Sequence, residues 1–449
     1  MKLDKEKLVF YKDKDGNTEF RLANITAFFA EGMKFYSGET IPPFCLYIPA
    51  CLRLKGIVDE DRMKYALTEL VRRNHAFRMN LVKDTGREGY RFRIIENLDY
   101  HAEIEYLPSD DPDENMEYAK KAVTDIIYKY PDLENELLFT FKFYKLGEED
   151  YFLGLIINHV ITDGHSVGNI MNQLLKTYLD IEDEKMYSGD EFMDFYLAQA
   201  ASRTEDTEKK YKAYWKDEFA DLPAIELTDR KGSHDFKESD FYLAFEKAPV
   251  QEFCRNNNVT FSSVILTAVH YAQTAVYGER DTAITYSMAN RSKLSHFTTV
   301  GPMVQMISHR LDIEEGDSYS DILKKTGRKI AENVKNQNTW NENIGASRFM
   351  LTFMNQGGVE MVSSQGDGVD EIQFIPGLRT SMWQVPMIVN WDLYFFVLFI
   401  TETNGMIEIG FATNPKYVPV EDITAFKDSI TRCINNMMSG ISDTVRFED

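Results

Sequence analysis

Ile156-Ile157-Asn158-His159-Val160-Ile161-Thr162-Asp163-Gly164-His165-Ser166 is the stretch on which the reading of this chain turns. It follows an apolar run, Tyr151 to Ile157, whose length predicts a buried strand. It precedes Val167, Ile170, Met171, Leu174, Leu175 and Tyr178, which recur at helical spacing. His159 and Asp163 are therefore expected at a strand end, in the turn before a helix. Such turns hold chemistry-bearing side chains on a rigid frame. Gly164 permits a tight turn or a close backbone approach to a ligand.

A lone histidine is most often structural, but one followed four residues later by Asp-Gly is more informative. An imidazole takes a proton near neutral pH. Asp163 reads as a fixed anion that anchors the loop, since a neighbouring cation keeps a carboxylate ionised. A metal site would have to use His159, Asp163 and His165. No further His/Cys cluster lies nearby and the segment reads as a turn, so no metal is expected.

Composition narrows the function classes. The 449 residues suffice for two or three domains, and 43% hydrophobic content with 13% aromatics is that of a globular protein. The net charge of -22 offers no basic excess to neutralise phosphates, so neither nucleic acid nor an anionic membrane is expected as the main partner. Cys45, Cys51, Cys254 and Cys433 form no CxxC pair and read as reduced thiols. The charged start, Met1 to Glu6, lacks a signal-peptide core, and the apolar run Leu393 to Ile400 is too short to span a bilayer. The cytoplasm is the expected location.

Along the chain, Phe44 to Lys55 partly alternates and predicts a strand. Asp59, Glu60 and Asp61 then open a helix with Met63, Ala66, Leu67, Leu70 and Val71 inward. Strands are expected over residues 90–106, and a helix from Asn115 to Tyr130. A hairpin over Leu137–Leu146 and Tyr151–Asn158 delivers the His159 loop. An acidic break at Asp180–Asp190 suggests a boundary, and a loop is expected around Asp229–Asp240. Later, Pro249 starts one helix, Val264 to Val276 lie on another, and Ala283 to Ala289 is a strand. Gly301-Pro302 marks a turn before an alternating strand, and residues 318–338 form an amphipathic helix. Residues 357–368 read as a Gly/Ser-rich loop. Asn404-Gly405 predicts a two-residue hairpin, and Val420 to Met438 a last helix.

Asn158 to Ser166 resembles the HHxxxDG motif of the condensation domains of nonribosomal peptide synthetases. The shorter HxxxDG form marks the wider chloramphenicol-acetyltransferase-like superfamily. Asn158 stands where the full motif has His. Arg72 to Leu81 is similar to the family's RHExLRTxF, with Arg73 and Arg78 on its two arginines, Phe77 on its Leu, and Asn74 and His75 departing. Phe192 to Tyr196 resembles YxDFA. The strand closed by Asn290-Arg291 is similar to one ending in Gly-Arg, and Val300 to Arg310 looks like VGxFVNTLPLR with Gln305 in place of Asn. The resemblance covers nearly the whole chain.

It implies an α/β (α+β) fold of two acetyltransferase-like lobes, residues 1–180 and 181–449, with mixed sheets covered by helices. The lobes would form a V with the active site at their interface, in a tunnel. A thioester donor, on carrier-protein phosphopantetheine or coenzyme A, would transfer its acyl or aminoacyl group directly to an amine or hydroxyl acceptor. The catalytic set would be His159, Asp163 and Gly164, with Asp163 holding the loop rather than touching substrate. A buried Asp needs a cation. Arg78 is the first candidate, with Arg291 and Arg310 as competitors, and Asn158 lends support to the loop. No bound cofactor is expected. Because no adenylation or carrier region accompanies the motif, the expectation is a monomer acting on a separate carrier protein or on coenzyme A. The competing reading is a catalytically silent relative that binds a carrier or acyl chain.

Overall fold

Strand Asp150–Asn158 is buried at every position, as its unbroken apolar run predicts for a central strand. This is seen in a computed structural model, which describes residues 11–21, 46–83, 90–181, 189–202, 204–222, 242–337, 347–354, 375, 377–383, 396–403, 405–413 and 417–447. The Asp229–Asp240 loop, the 357–368 stretch, residues 391–395, Asn404 and the N-terminal hexapeptide lie outside the described residues.

The central strand is flanked by two antiparallel neighbours, Tyr47–Lys55 and Phe139–Gly147. Arg379–Met382 and the parallel strand Glu105–Tyr106 extend this sheet on either side. Gly154 lets the layers close up: a Cβ there would lie 3.0 Å from the Phe152 ring and 3.4 Å from Val123 of helix Pro112–Ile127. That helix begins where the sequence supplies Pro112 at its first turn and Asp111 as a cap on the Asp113 N–H. A smaller antiparallel sheet pairs Tyr11–Lys12, Thr18–Arg21, Tyr90–Ile94 and Met79–Lys83.

The chain packs as two compact units. One comprises residues 1–202, 289–304 and 356–390; the other comprises 203–288, 305–355 and 391–449. This differs from the single cut after residue 180 expected from the acidic break. Helix Gly189–Ser202 follows that break, yet Phe192, Phe195 and Tyr196 are buried in the first unit's core, together with Val300, Met303, Ile375 and Leu378. Apolar side chains, not the charge of a connecting loop, decide which core a segment joins.

The second unit has a mixed six-stranded sheet, ordered Gln305–Asp312, Asp281–Met288, Phe349–Met354, Phe396–Thr403, Met406–Thr413 and Tyr242–Glu246. Phe396–Thr403 and Met406–Thr413 form the expected late hairpin, with Gly405 at φ +76°. Helix Phe261–Tyr277 starts at a Thr260 cap, ends at Gly278 with φ +75°, and is buried over most of its length. Among the described residues no single helix is long and apolar enough to cross a membrane.

Two fully buried histidines link this helix to the sheet. The Thr326 carbonyl can only accept, so His309 Nε2–H donates to it at 3.4 Å. His309 Nδ1 then accepts from His270 Nε2–H at 2.9 Å, and His270 Nδ1 accepts from the Thr282 hydroxyl at 2.6 Å, a closer acceptor for that hydrogen than Leu311 O at 3.3 Å. Each ring is neutral in this chain. Burial pushes both imidazoles below the usual 6.5, His309 to about 4, and His309 adds to the effect on His270. Unfolded histidines take up a proton near 6.5 and these do not, so stability falls as pH drops through that value toward 4. Histidine nitrogen NMR checks the cause: both rings should remain neutral at pH 5 in the folded protein. Charged rings there, with no loss of melting temperature, would contradict the assignment.

Candidate active site

The buried strand ends at Asn158, and the loop that follows hangs from residues just outside its neighbouring strands. Asn158 N–H donates to Leu138 O and His159 N–H to Leu46 O, each at 2.8 Å. Within the loop, Asn158 Oδ1 accepts the Val160 N–H at 2.9 Å, and the Asn158 carbonyl accepts Ile161 N–H at 3.1 Å. His159 is half-buried, and its Nδ1 lies 3.2 Å from the Thr162 carbonyl. A carbonyl accepts only, so Nδ1 carries the hydrogen and Nε2 keeps its lone pair. Desolvation pushes this imidazole below its usual range, against the opposing pull of the Asp163 charge. Near pH 7 the ring is therefore a neutral base.

Asp163 caps helix Gly164–Tyr178 and is buried. Its Oδ1 accepts from Ser166 N–H at 2.9 Å, Ser166 Oγ–H at 2.7 Å and Arg291 Nη2 at 2.9 Å. Its Oδ2 accepts from Arg291 Nη1 at 3.0 Å, Met303 N–H at 2.9 Å and Val304 N–H at 3.0 Å. Burial alone would raise this carboxyl, but the Arg291 charge and the hydrogen bonds from Arg291 and Ser166 hold it at about 2. Donors from the protein thus occupy both carboxylate oxygens. Gly164 is the first helical residue, and its φ is not in the left-handed region.

Arg291 is therefore the partner, and Arg78 and Arg310 are not. Arg78 ends a short 3-10 turn, His75–Arg78, and donates to the carbonyls of Ile95 at 3.3 Å and Glu96 at 3.5 Å. Arg310, in the second unit, pairs with Asp281 and with Asp221 at 2.7 Å. Arg73 is likewise taken, by Glu69 at 2.6 Å. Arg291 is fixed from behind by the His296 and Ala289 carbonyls, each 3.1 Å away. Asn290 turns the chain with φ +52°, a conformation that glycine adopts freely and asparagine tolerates. That accounts for Asn standing where the resembling motif has Gly.

Ser166 is a site residue that sequence reasoning missed. Beyond its bonds to Asp163, its Oγ lies 2.9 Å from Gly301 O, and it accepts from Gly301 N–H and Arg291 Nη2, both at 3.1 Å. The available signal was its place at the third position of the helix after an Asp cap, which marks it only as local capping. His165 Nε2 reaches Phe297 O at 2.9 Å, and Asn169 donates to Phe297 O at 2.9 Å and Thr299 O at 3.1 Å. His165 is thus committed to the backbone, and among the described residues no group of three His, Cys, Asp or Glu could hold a metal ion.

Residues 300–304 approach so closely that Gly301 tolerates no side chain: a Cβ would lie 2.2 Å from Phe192 Cδ2. Gly301→Ala should cost about 1–3 kcal/mol through overpacking. Phe192→Leu in the same protein should recover part of that in thermal melts. An additive double variant would show that the Phe192 contact is not the cause.

With this geometry in place, comparison with known proteins is direct. The chain matches the Condensation domain family over residues 45–449 and belongs to that family. It is 24% identical over 293 residues to enniatin synthase of Fusarium equiseti, covering 62% of this chain and 9% of that protein. It is 25% identical over 335 residues to cyclosporin synthetase of Tolypocladium inflatum, covering 70% and 2%. The chain thus spans less than a tenth of the length of these relatives. In structure it is similar to the first condensation domain of the calcium-dependent antibiotic synthetase, with TM-score 0.67, 14% identity and coverage of 95% and 97%. It is also similar to the X-domain seen in complex with OxyB from teicoplanin biosynthesis, with TM-score 0.70, 12% identity and coverage of 98% and 96%. The fold is the mixed α/β, chloramphenicol-acetyltransferase-like fold of condensation domains.

Proposed function

We propose that this chain transfers an acyl or aminoacyl group from a thioester to an amine or hydroxyl, with His159 Nε2 as the base. The observation that carries the reading is the Nδ1–H bond to the Thr162 carbonyl, which reserves the lone pair on Nε2. In the step, the acceptor nitrogen or oxygen attacks the thioester carbon and its proton passes to Nε2. The C–S bond then breaks, and the proton goes on to the departing thiolate. Asp163 holds the loop through Arg291 and touches no reactant. The Gly164 N–H, in the first turn of its helix and without an intrahelical acceptor, is the donor we assign to the developing oxyanion. Family membership supports a carrier-protein phosphopantetheine thioester as donor, and coenzyme A presents the same thioester chemistry.

The second reading, a silent module that binds a partner protein, draws on the X-domain likeness, since that protein is seen in complex with OxyB. A panel of acyl-phosphopantetheine and acyl-coenzyme A thioesters, offered with amines and alcohols and read by mass spectrometry, separates the two. Amide or ester product supports the transferase; carrier binding with no product across the panel supports the module.

A further inference from the structure

We infer that Asn158 is a positioning residue: its side-chain oxygen shapes the turn that holds His159 with hydrogen on Nδ1 and the lone pair on Nε2. This deepens the transferase reading and rests on it for its catalytic consequence.

Val160 and Ile161 are fully buried, so their N–H groups need acceptors inside the protein. Asn158 supplies both, its Oδ1 to Val160 at 2.9 Å and its carbonyl to Ile161 at 3.1 Å. These bonds curl residues 158–162 until the Thr162 carbonyl comes within 3.2 Å of His159 Nδ1. The backbone bonds to Leu138 and Leu46 anchor the start of the turn, Asp163 bound to Arg291 anchors its end, and Asn158 sets the curl between them. The tautomer matters because a free neutral histidine favours hydrogen on Nε2. Without the Thr162 acceptor in place, the base would present a donor where it must present a lone pair. Asn158 is itself fully buried, opposite Tyr47 in the strand register, so it works on His159 through the turn and does not meet substrate.

Asn158 occupies the place of the first histidine in the peptide-synthetase motif. On this assignment, position 158 requires an acceptor for the Val160 N–H, not an imidazole. A serine hydroxyl can serve as a weaker form of the same two-residue turn.

The test is made on the full chain labelled with 15N-histidine at pH 8, with the His159 signals identified by their loss in His159→Gln. Wild type should show a protonated Nδ1 and an unprotonated Nε2. Asn158→Ala should move hydrogen onto Nε2 and lower kcat by about tenfold or more, within the range that general-base catalysis contributes, with KM for the thioester little changed. Asn158→Ser should restore both the signature and most of kcat. Asn158→Asp keeps the acceptor but adds an anion beside His159, so the acid limb of its pH–rate profile should move to higher pH. An Asn158→Ala protein that keeps the wild-type signature and kcat overturns the proposal. So does an Asn158→Ser protein with hydrogen on Nε2, which decides the matter even if the alanine variant does not fold. Because the tautomer is read without substrate, a wild-type protein with the expected signature and no transfer sinks only the transferase reading.

Discussion

Alanine at position 159 is expected to lower acyl transfer by about 10²–10⁴-fold, the usual contribution of a positioned general base, while the protein stays folded. The two halves of this expectation rest on different facts. The rate loss follows from the proposal that His159 Nε2, left with its lone pair by the Nδ1 bond to Thr162, accepts the proton. The fold survives because the ring is only half-buried, and removing it opens little of the core. The loop's backbone bonds to Leu138 and Leu46 do not depend on the side chain. Steady-state transfer and a thermal melt on the same preparation give the answer. A large drop in melting temperature would make His159 a packing residue. Unchanged transfer in a stable protein would remove it from the chemistry.

Asp163→Ala is expected to do the reverse, losing stability first and activity as a consequence. The substitution leaves the Arg291 guanidinium buried without its anion, and strips acceptors from Ser166, Met303 and Val304. Breaking a buried pair from one side costs about 3–5 kcal/mol. A pH experiment reaches the same carboxylate without mutation. Its folded value of about 2 lies below 3.8, so its contribution is present above pH 4 and is lost as pH falls toward 2. The gap corresponds to on the order of 2 kcal/mol. Chemical denaturation of both proteins from pH 5 to 2 should show wild type approaching the variant as the pH falls. A stable Asp163→Ala protein that has lost transfer would instead put the carboxylate in the reaction itself.

How far each feature was legible follows from the range of the forces behind it. The hairpin ending at Asn158 and helix Gly164–Tyr178 were readable because period and capping act over a few residues. The loop between them, with His159 and Asp163, came with those elements. The partner of Asp163 did not. Three arginines carried the right charge, and the residues around Arg78 offered the fuller local motif. Arg291 wins because Asn290 takes a left-handed turn and the His296 and Ala289 carbonyls hold the guanidinium in place. Ser166 was hidden for a similar reason: its bonds to Gly301 exist only once residues 300–304 fold back against the helix.

By itself, then, the sequence determined the mixed α/β class, the strand–loop–helix that carries His159, and the need for a cation beside Asp163. These depend on hydrophobic period, on capping, and on the cost of burying a lone charge. Tertiary structure decided which arginine answers that need, which segments join the first unit's core, and which nitrogen of His159 keeps its lone pair. Each of those is settled by groups far apart in the chain whose meeting local pattern does not encode, or by a hydrogen-bond direction that only coordinates reveal.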